Sequence, residues 1–165
     1  MRALLIVNPV ASRVTAAVEQ TAIRELEEAV SVEVVRTTRH GEATQLSAAA
    51  AADDFDAVLV LGGDGTANEV LNGVGDALPI GLMPGGGTSV MPRNLGLPPS
   101  IPAAARRLAT ALREGTSRQV RVGRLNGRRF AFNAGVGLDA EVVRRVDTHQ
   151  RTAKHRRPPD VIYAR

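Results

Sequence analysis

Five consecutive apolar residues, Ala57-Val58-Leu59-Val60-Leu61, lead directly into Gly62-Gly63-Asp64-Gly65-Thr66. An unbroken apolar run of this length, closed by a glycine turn, is the pattern of a strand buried on both faces. Where such a strand passes through a glycine-rich turn into a helix, backbone N–H groups are presented at the place where α/β proteins hold phosphates. Three glycines in four positions let the main chain approach an anion closely and take up positive φ where the turn needs it. The acid among them, Asp64, would repel a phosphate unless a divalent cation lay between the two. A structural turn needs one or two glycines and no acid, so the pattern favours a phosphate or metal role.

The rest of the chain alternates strand and helix patterns, which predicts a parallel sheet with crossover helices. Strands are expected at about residues 2–7, 31–36, 56–61 and 79–83. Helices are expected at about 14–29, from Gly41-Glu42-Ala43-Thr44 to near Asp53-Asp54, from near Thr66 to about Val74 with Gly75 as its stop, and at about 103–114. Pro98-Pro99-Ser100-Ile101-Pro102 punctuates the chain before the last of these. After Gly115 the character changes. Arg118–Leu125 and Arg128–Asn133 read as two strands around Asn126-Gly127, a strong hairpin signal. The expected division is a nucleotide-binding α/β domain at 1–116 and the beginning of a β-rich second lobe at 117–165. Arg144 to Arg165 is basic, contains Pro158-Pro159 and carries no assignable terminal element.

At 165 residues with 44% hydrophobic residues, the chain can build one full α/β domain and the start of another. With no cysteine, disulfides and thiolate metal sites are excluded. Met1–Val7 is too short for a signal peptide and is ended by Asn8-Pro9, and no segment has the length of a membrane span, so a cytoplasmic location is expected. Charge is unevenly placed. Residues 1–76 carry five Arg against twelve Asp and Glu, net −7, whereas residues 77–165 carry fifteen Arg and one Lys against five acids, net +11. The basic half suits an anionic membrane surface at the inner face of the membrane, or is simply a solvated Arg-rich face. Nucleic acid is not an expected partner, because aromatics are 2% of the chain and stacking platforms are scarce.

In an open parallel sheet, ligands bind beyond the carboxyl ends of the strands. Three of those ends carry special residues: Asn8-Pro9, Gly62–Gly65, and Pro84-Gly85-Gly86-Gly87-Thr88. If their strands are neighbours, the three loops meet. Each also has an ordinary reading. Asn8-Pro9 can be a strand-ending turn, the 84–88 run a flexible connection, and Thr66 a helix cap completed by Glu69 in a capping box. Asn68 has no comparable structural reason to stand in a first helical turn. His40, His149 and His155 lack metal-ligand spacing and read as surface residues. Asp139 reads as an N-cap for a helix at about 140–146. No Ser-His-Asp or zinc constellation is visible.

Taken together, Gly62-Gly63-Asp64-Gly65-Thr66-Ala67-Asn68-Glu69-Val70-Leu71-Asn72-Gly73 resembles the signature of the diacylglycerol kinase catalytic domain family, which is related to sphingosine and ceramide kinases. Asn8-Pro9, the Thr88 turn and Phe132-Asn133-Ala134-Gly135-Val136-Gly137-Leu138-Asp139-Ala140 fit the same family. The Gly-Gly-Asp-Gly core alone is shared with NAD kinases and 6-phosphofructokinases; Asn68-Glu69-Val70 and Asn72-Gly73 mark the lipid kinase branch. The resemblance implies a phosphofructokinase/NAD kinase-like three-layer parallel-sheet domain followed by a β-rich lobe. It implies ATP and Mg2+ as cofactors and a diacylglycerol-like or sphingoid lipid alcohol as acceptor. Position by position, Asn8, Pro9, Val10, Ala11 and Ser12 would form the first nucleotide loop. Thr37 would contact ATP. Gly62, Gly63, Asp64, Gly65, Thr66, Ala67 and Asn68 would cradle phosphates, with Asp64 facing magnesium, and Thr88 would close the site.

The chain departs from the family at three places. Ala11-Ser12-Arg13 stands where Ser-Gly is common, and Ser89-Val90-Met91-Pro92-Arg93-Asn94 replaces Asn and Asp-Phe after the fourth-loop Thr, removing a carboxylate. Pro92 shortens any helix there. The resemblance places the general base downstream of residue 165, so no catalytic base is assigned and a truncated form, about half of a complete enzyme, is expected. The alternatives are a non-catalytic nucleotide-binding remnant and an NAD kinase-like phosphotransferase. The lipid and the oligomeric state are not specified by the sequence.

Overall fold

The computed structural model describes residues 1–152, with side chains described through Arg145. His155, Pro158-Pro159 and the end of the basic tail lie outside the described residues, as does the side chain of His149. Residues 1–132 form one compact unit, and a second begins at Asn133. The first unit runs β1 (Arg2–Val7), α1 (Ala16–Glu27), β2 (Ser31–Arg36), α2 (Glu42–Ala50), β3 (Ala57–Gly62), α3 (Asp64–Val74), β4 (Ile80–Pro84), α4 (Val90–Asn94), α5 (Ile101–Glu114), β5 (Gly123–Leu125) and β6 (Arg128–Phe130).

Strands β1 to β4 form one parallel sheet in the order β2-β1-β3-β4. Leu5 lies opposite Val34 on one side and Leu59 on the other, and Gly62 lies opposite Pro84. Successive side chains alternate between the faces. On one face Leu5, Val7, Leu59, Leu61 and Met83 pack against Ala22 and Leu26 of α1 and Ala104 and Ala105 of α5. On the other, Ile6, Val58, Val60 and Leu82 meet Ala43 of α2, Ala67, Val70 and Val74 of α3, and Met91 of α4. This is the expected three-layer α/β fold. Both central strands are covered on both faces, which explains their unbroken apolar runs.

Helix ends follow local chemistry. Thr15 caps α1, accepting from the Val18 N–H at 3.3 Å, and Ser100 caps α5, accepting from Ala103 at 3.3 Å. That cap and Pro102 at the helix start set α5 two residues before the expected position. Gly75 ends α3 at φ 64, as its position suggested. Pro92 falls within α4, which is five residues long.

The hairpin forms around Asn126 and Gly127, both at positive φ (48 and 78), as a type I′ turn requires. Its strands are three residues each, shorter than the expected 118–125 and 128–133. Residues 118–121 are exposed, so no packing holds them extended. In the second unit α6 spans Leu138–Thr152 and begins just after Gly137, at φ 71. Asp139 therefore lies inside its first turn and is not the N-cap expected of it. Hydrogen bonds from Arg144 and then Arg145 hold the Glu141 carboxyl down at about 2.

Candidate functional site

Because the four strands are parallel, their carboxyl ends share one rim. The chain steps from β1 to β2 on one side and to β3 on the other, which makes the β1–β3 boundary the topological switch point. The loops after β1, β3 and β4 meet at this boundary and are tied together. Asn8 Nδ2 donates to Thr66 Oγ1 at 3.0 Å, while Asn8 Oδ1 accepts from the Val10 N–H at 3.2 Å. The Gly85 N–H donates to the Gly62 carbonyl at 2.8 Å, and the Arg13 N–H donates to the Gly85 carbonyl at 3.0 Å. Thr37 lies at the same rim one strand away, its N–H donating to the Val7 carbonyl at 2.9 Å.

The glycines act differently from the expectation. None of Gly62, Gly63 and Gly65 has a positive φ. Gly62 and Gly63 instead set their backbone against the second glycine turn, and a Cβ on Gly62 would crowd the Thr66 side chain at 3.0 Å. A Cβ on Gly85 would lie 2.9 Å from Gly62 N, and one on Gly86 would lie 2.8 Å from Gly63 Cα. The two turns thus pack backbone against backbone. Gly65 is the exception: it is exposed, with open space where a side chain would be.

Helix α3 starts at Asp64, two residues before the expected start, so Gly63 is its N-cap and the acid lies in its first turn. The opening amides of a helix have no acceptor behind them within the helix. Here the Ala67 N–H reaches the Gly63 carbonyl at 3.1 Å, so the opening amides are those of Asp64, Gly65 and Thr66. The side chains of this motif reach outward to different neighbours. Asp64 Oδ2 accepts from the Val90 N–H at 2.9 Å and from Thr88 Oγ1 at 3.2 Å, and its Oδ1 accepts from the Met91 N–H at 2.9 Å. Thr66 is engaged by Asn8. Glu69 accepts from the N–H groups of Gly41 at 3.0 Å and Ala43 at 3.2 Å, with His40 Nε2 at 3.6 Å. The expected Thr66–Glu69 capping box is therefore absent. Glu69 caps α2 instead, a contact across 28 residues that local sequence cannot show.

The remaining expected positions divide by exposure. Pro9, Val10, Ser12 and Thr88 are exposed at the rim, with Val10 at 88%, and Ala11 is half-buried. Ala67 is buried in the core under α3, so its side chain is not part of the rim. Asn68 is half-buried, and its carbonyl accepts from Asn72 Nδ2 at 2.8 Å. Asn72 also clasps β6, donating to the Arg129 carbonyl at 3.0 Å and accepting from the Arg129 N–H at 2.8 Å. Gly73 abuts Ser47 and the Thr44 carbonyl of α2, so close that a Cβ would not fit. Among the described residues no three His, Cys, Asp or Glu gather as a metal site, and no helix is long and apolar enough to cross a membrane.

Known proteins resemble this chain in sequence and in fold. The chain is 36% identical over 119 residues to a diacylglycerol kinase of Bacillus subtilis (strain 168), covering 70% of this chain and 38% of that protein. It is 37% identical over 109 residues to a diacylglycerol kinase of Staphylococcus carnosus (strain TM300), covering 64% and 34%. A crystal structure of a diacylglycerol kinase from Bacillus anthracis str. Sterne superimposes with a TM-score of 0.70 at 30% identity, covering 78% of this chain and 45% of that one. The chain thus spans less than half the length of each of these relatives. The family model for the diacylglycerol kinase catalytic domain matches residues 2–125. This chain belongs to the diacylglycerol kinase catalytic domain family.

Proposed function

We propose that this chain forms the nucleotide-binding lobe of a lipid kinase that transfers the γ-phosphate of ATP to the hydroxyl of a diacylglycerol-like or sphingoid lipid. The reading rests chiefly on one observation, the meeting of the β1, β3 and β4 loops at the switch point, where the opening amides of α3 stand beside Gly65. In this reading the N–H groups of Asp64, Gly65 and Thr66 donate to phosphate oxygens, favoured by the positive end of the α3 dipole. Asn8 to Ser12 and Thr37 flank the nucleotide, Gly62, Gly63, Ala67 and Asn68 shape the turn that holds it, and Thr88 closes the site. Phosphoryl transfer depends mainly on positioning and charge neutralisation, so a lobe of this kind needs no nucleophile of its own. The general base is proposed to come from outside residues 1–165.

Magnesium would neutralise charge on the phosphates when bound with the nucleotide. Asp64 is not assigned as its direct protein ligand in this reading, because three hydrogen bonds already take up most of the acceptor sites of its carboxylate. Residues 117–165 are proposed to begin the β-rich lobe, and the basic half of the chain to meet the anionic inner surface of the membrane, where a lipid alcohol is found. The test is a thermal-shift titration of this chain with ATP, followed by transfer of labelled phosphate with a downstream lobe supplied. Nucleotide-dependent stabilisation and label in the organic extract are expected. Stabilisation without transfer favours a non-catalytic nucleotide-binding protein. Label in NADP favours an NAD kinase-like enzyme, and no stabilisation by ATP overturns the reading.

A further inference from the structure

We propose that Asp64 is a positioning residue, which caps α4 from the neighbouring loop and thereby holds Thr88 at the rim, and is not a direct ligand of magnesium. The inference rests on the nucleotide reading above and specifies what the acid in the glycine turn does. Helix α4 is five residues long and cannot persist alone, since so short a helix does not recover its nucleation cost. Its own N-cap residue, Ser89, gives no side-chain cap: the Ser89 hydroxyl donates to the Gly86 carbonyl at 2.9 Å. Ser89 is also in the left-handed region, at φ 45 and ψ 54, a conformation that a non-glycine residue keeps only when its surroundings enforce it.

The two amides that open α4 therefore need an acceptor from elsewhere. Both point at one carboxylate 26 and 27 residues earlier in the chain, each at 2.9 Å, and each on a different oxygen. An ionised carboxylate receiving two N–H groups at a helix N-terminus makes charge-assisted bonds that also satisfy the helix dipole. Thr88 Oγ1 adds a third bond, to Oδ2. A carboxylate offers about four lone-pair sites, so most of its acceptor capacity is used. Magnesium demands near-octahedral geometry at about 2.0–2.1 Å. Seating it on either oxygen would set the cation against the positive ends of N–H dipoles and loosen the cap.

Two measurements on Asp64→Asn and Asp64→Ala test the proposal. The first is amide hydrogen exchange without nucleotide. In Asp64→Ala, exchange at Val90 and Met91 is expected to rise by about tenfold or more, the loss of a hydrogen bond to a charged group, with β1 and β3 unchanged. Wild-type protection at those two amides in Asp64→Ala would overturn the proposal. The second is ATP affinity with excess magnesium and, separately, with excess EDTA. The asparagine variant keeps one acceptor and is expected to weaken both forms by the same factor, leaving their ratio as in the wild type. Loss of affinity confined to the magnesium form would make Asp64 a metal ligand and refute the proposal. Failure of the wild-type chain to bind either form would refute the nucleotide reading, while the exchange experiment still decides the role of Asp64.

Discussion

The two halves of α3 have separate tasks. The first half sends Asp64 to α4, Thr66 to Asn8 and Glu69 to the start of α2, so one helical segment fixes three loops at the carboxyl rim. The second half sends Asn72 to the β5–β6 hairpin and presents Gly73 as the contact surface for α2. The run from Gly62 to Gly73 is continuous in sequence, yet only its first part builds the candidate site. Polar residues in a functional motif need not touch a ligand. Here most of them hold other loops, and the opening backbone amides remain for the proposed nucleotide.

The largest effect is expected where the two glycine turns meet. Gly85→Ala places a methyl against the Gly62 backbone, which cannot turn aside as a flexible side chain would. It should cost about 1–3 kcal/mol of stability in chemical denaturation, as overpacking does, and abolish ATP-dependent stabilisation. Glu69→Ala leaves the Gly41 and Ala43 amides without their carboxylate and should cost about 1–2 kcal/mol, with faster exchange at Gly41 and weaker nucleotide binding.

Asn72→Ala acts on the second half of α3. Losing the clasp on Arg129 should cost about 1 kcal/mol and raise exchange across β5 and β6, with ATP affinity unchanged. A fall in ATP affinity as large as that of Glu69→Ala would erase the distinction between the two halves. The smallest effect concerns Glu42, beside the loop that Glu69 anchors. The Thr38 N–H, followed by the Thr38 hydroxyl, holds its carboxyl below the usual glutamate value. Its contribution is complete above the unfolded pKa and is lost as pH falls through the lower folded value. Exchange at the Thr38 amide, corrected for its intrinsic pH dependence, should rise over that window in the wild type and be flat in Glu42→Gln.

Much of the fold was legible because burial leaves a strong mark. Strands β1 and β2 match their expected bounds, and β3 and β4 each shift by one residue. The hairpin turn was equally clear, since Asn126-Gly127 carries its own geometry, but the strand lengths depend on packing that local sequence does not encode. The start of α3 was hidden by the glycines: Gly65 weakens a helical pattern, and the helix nevertheless begins at Asp64 because neighbouring loops hold it. The meeting of the loops after β1, β3 and β4 was legible from the strand ends, whereas the partners of Asp64 and Glu69 were not. Those contacts join residues 26 to 28 apart through the stacking order of strands and helices. A capping box was the local alternative for Glu69, and tertiary structure supplied a better acceptor for the α2 amides.

The most direct test of the account is an amide-resolved NMR titration of this chain with ATP. The account predicts that the largest shifts fall on Asp64, Gly65 and Thr66 and on the Asn8–Ser12 loop, with Gly123–Phe130 unmoved. Shifts centred on the hairpin, or none at the opening turn of α3, would contradict it.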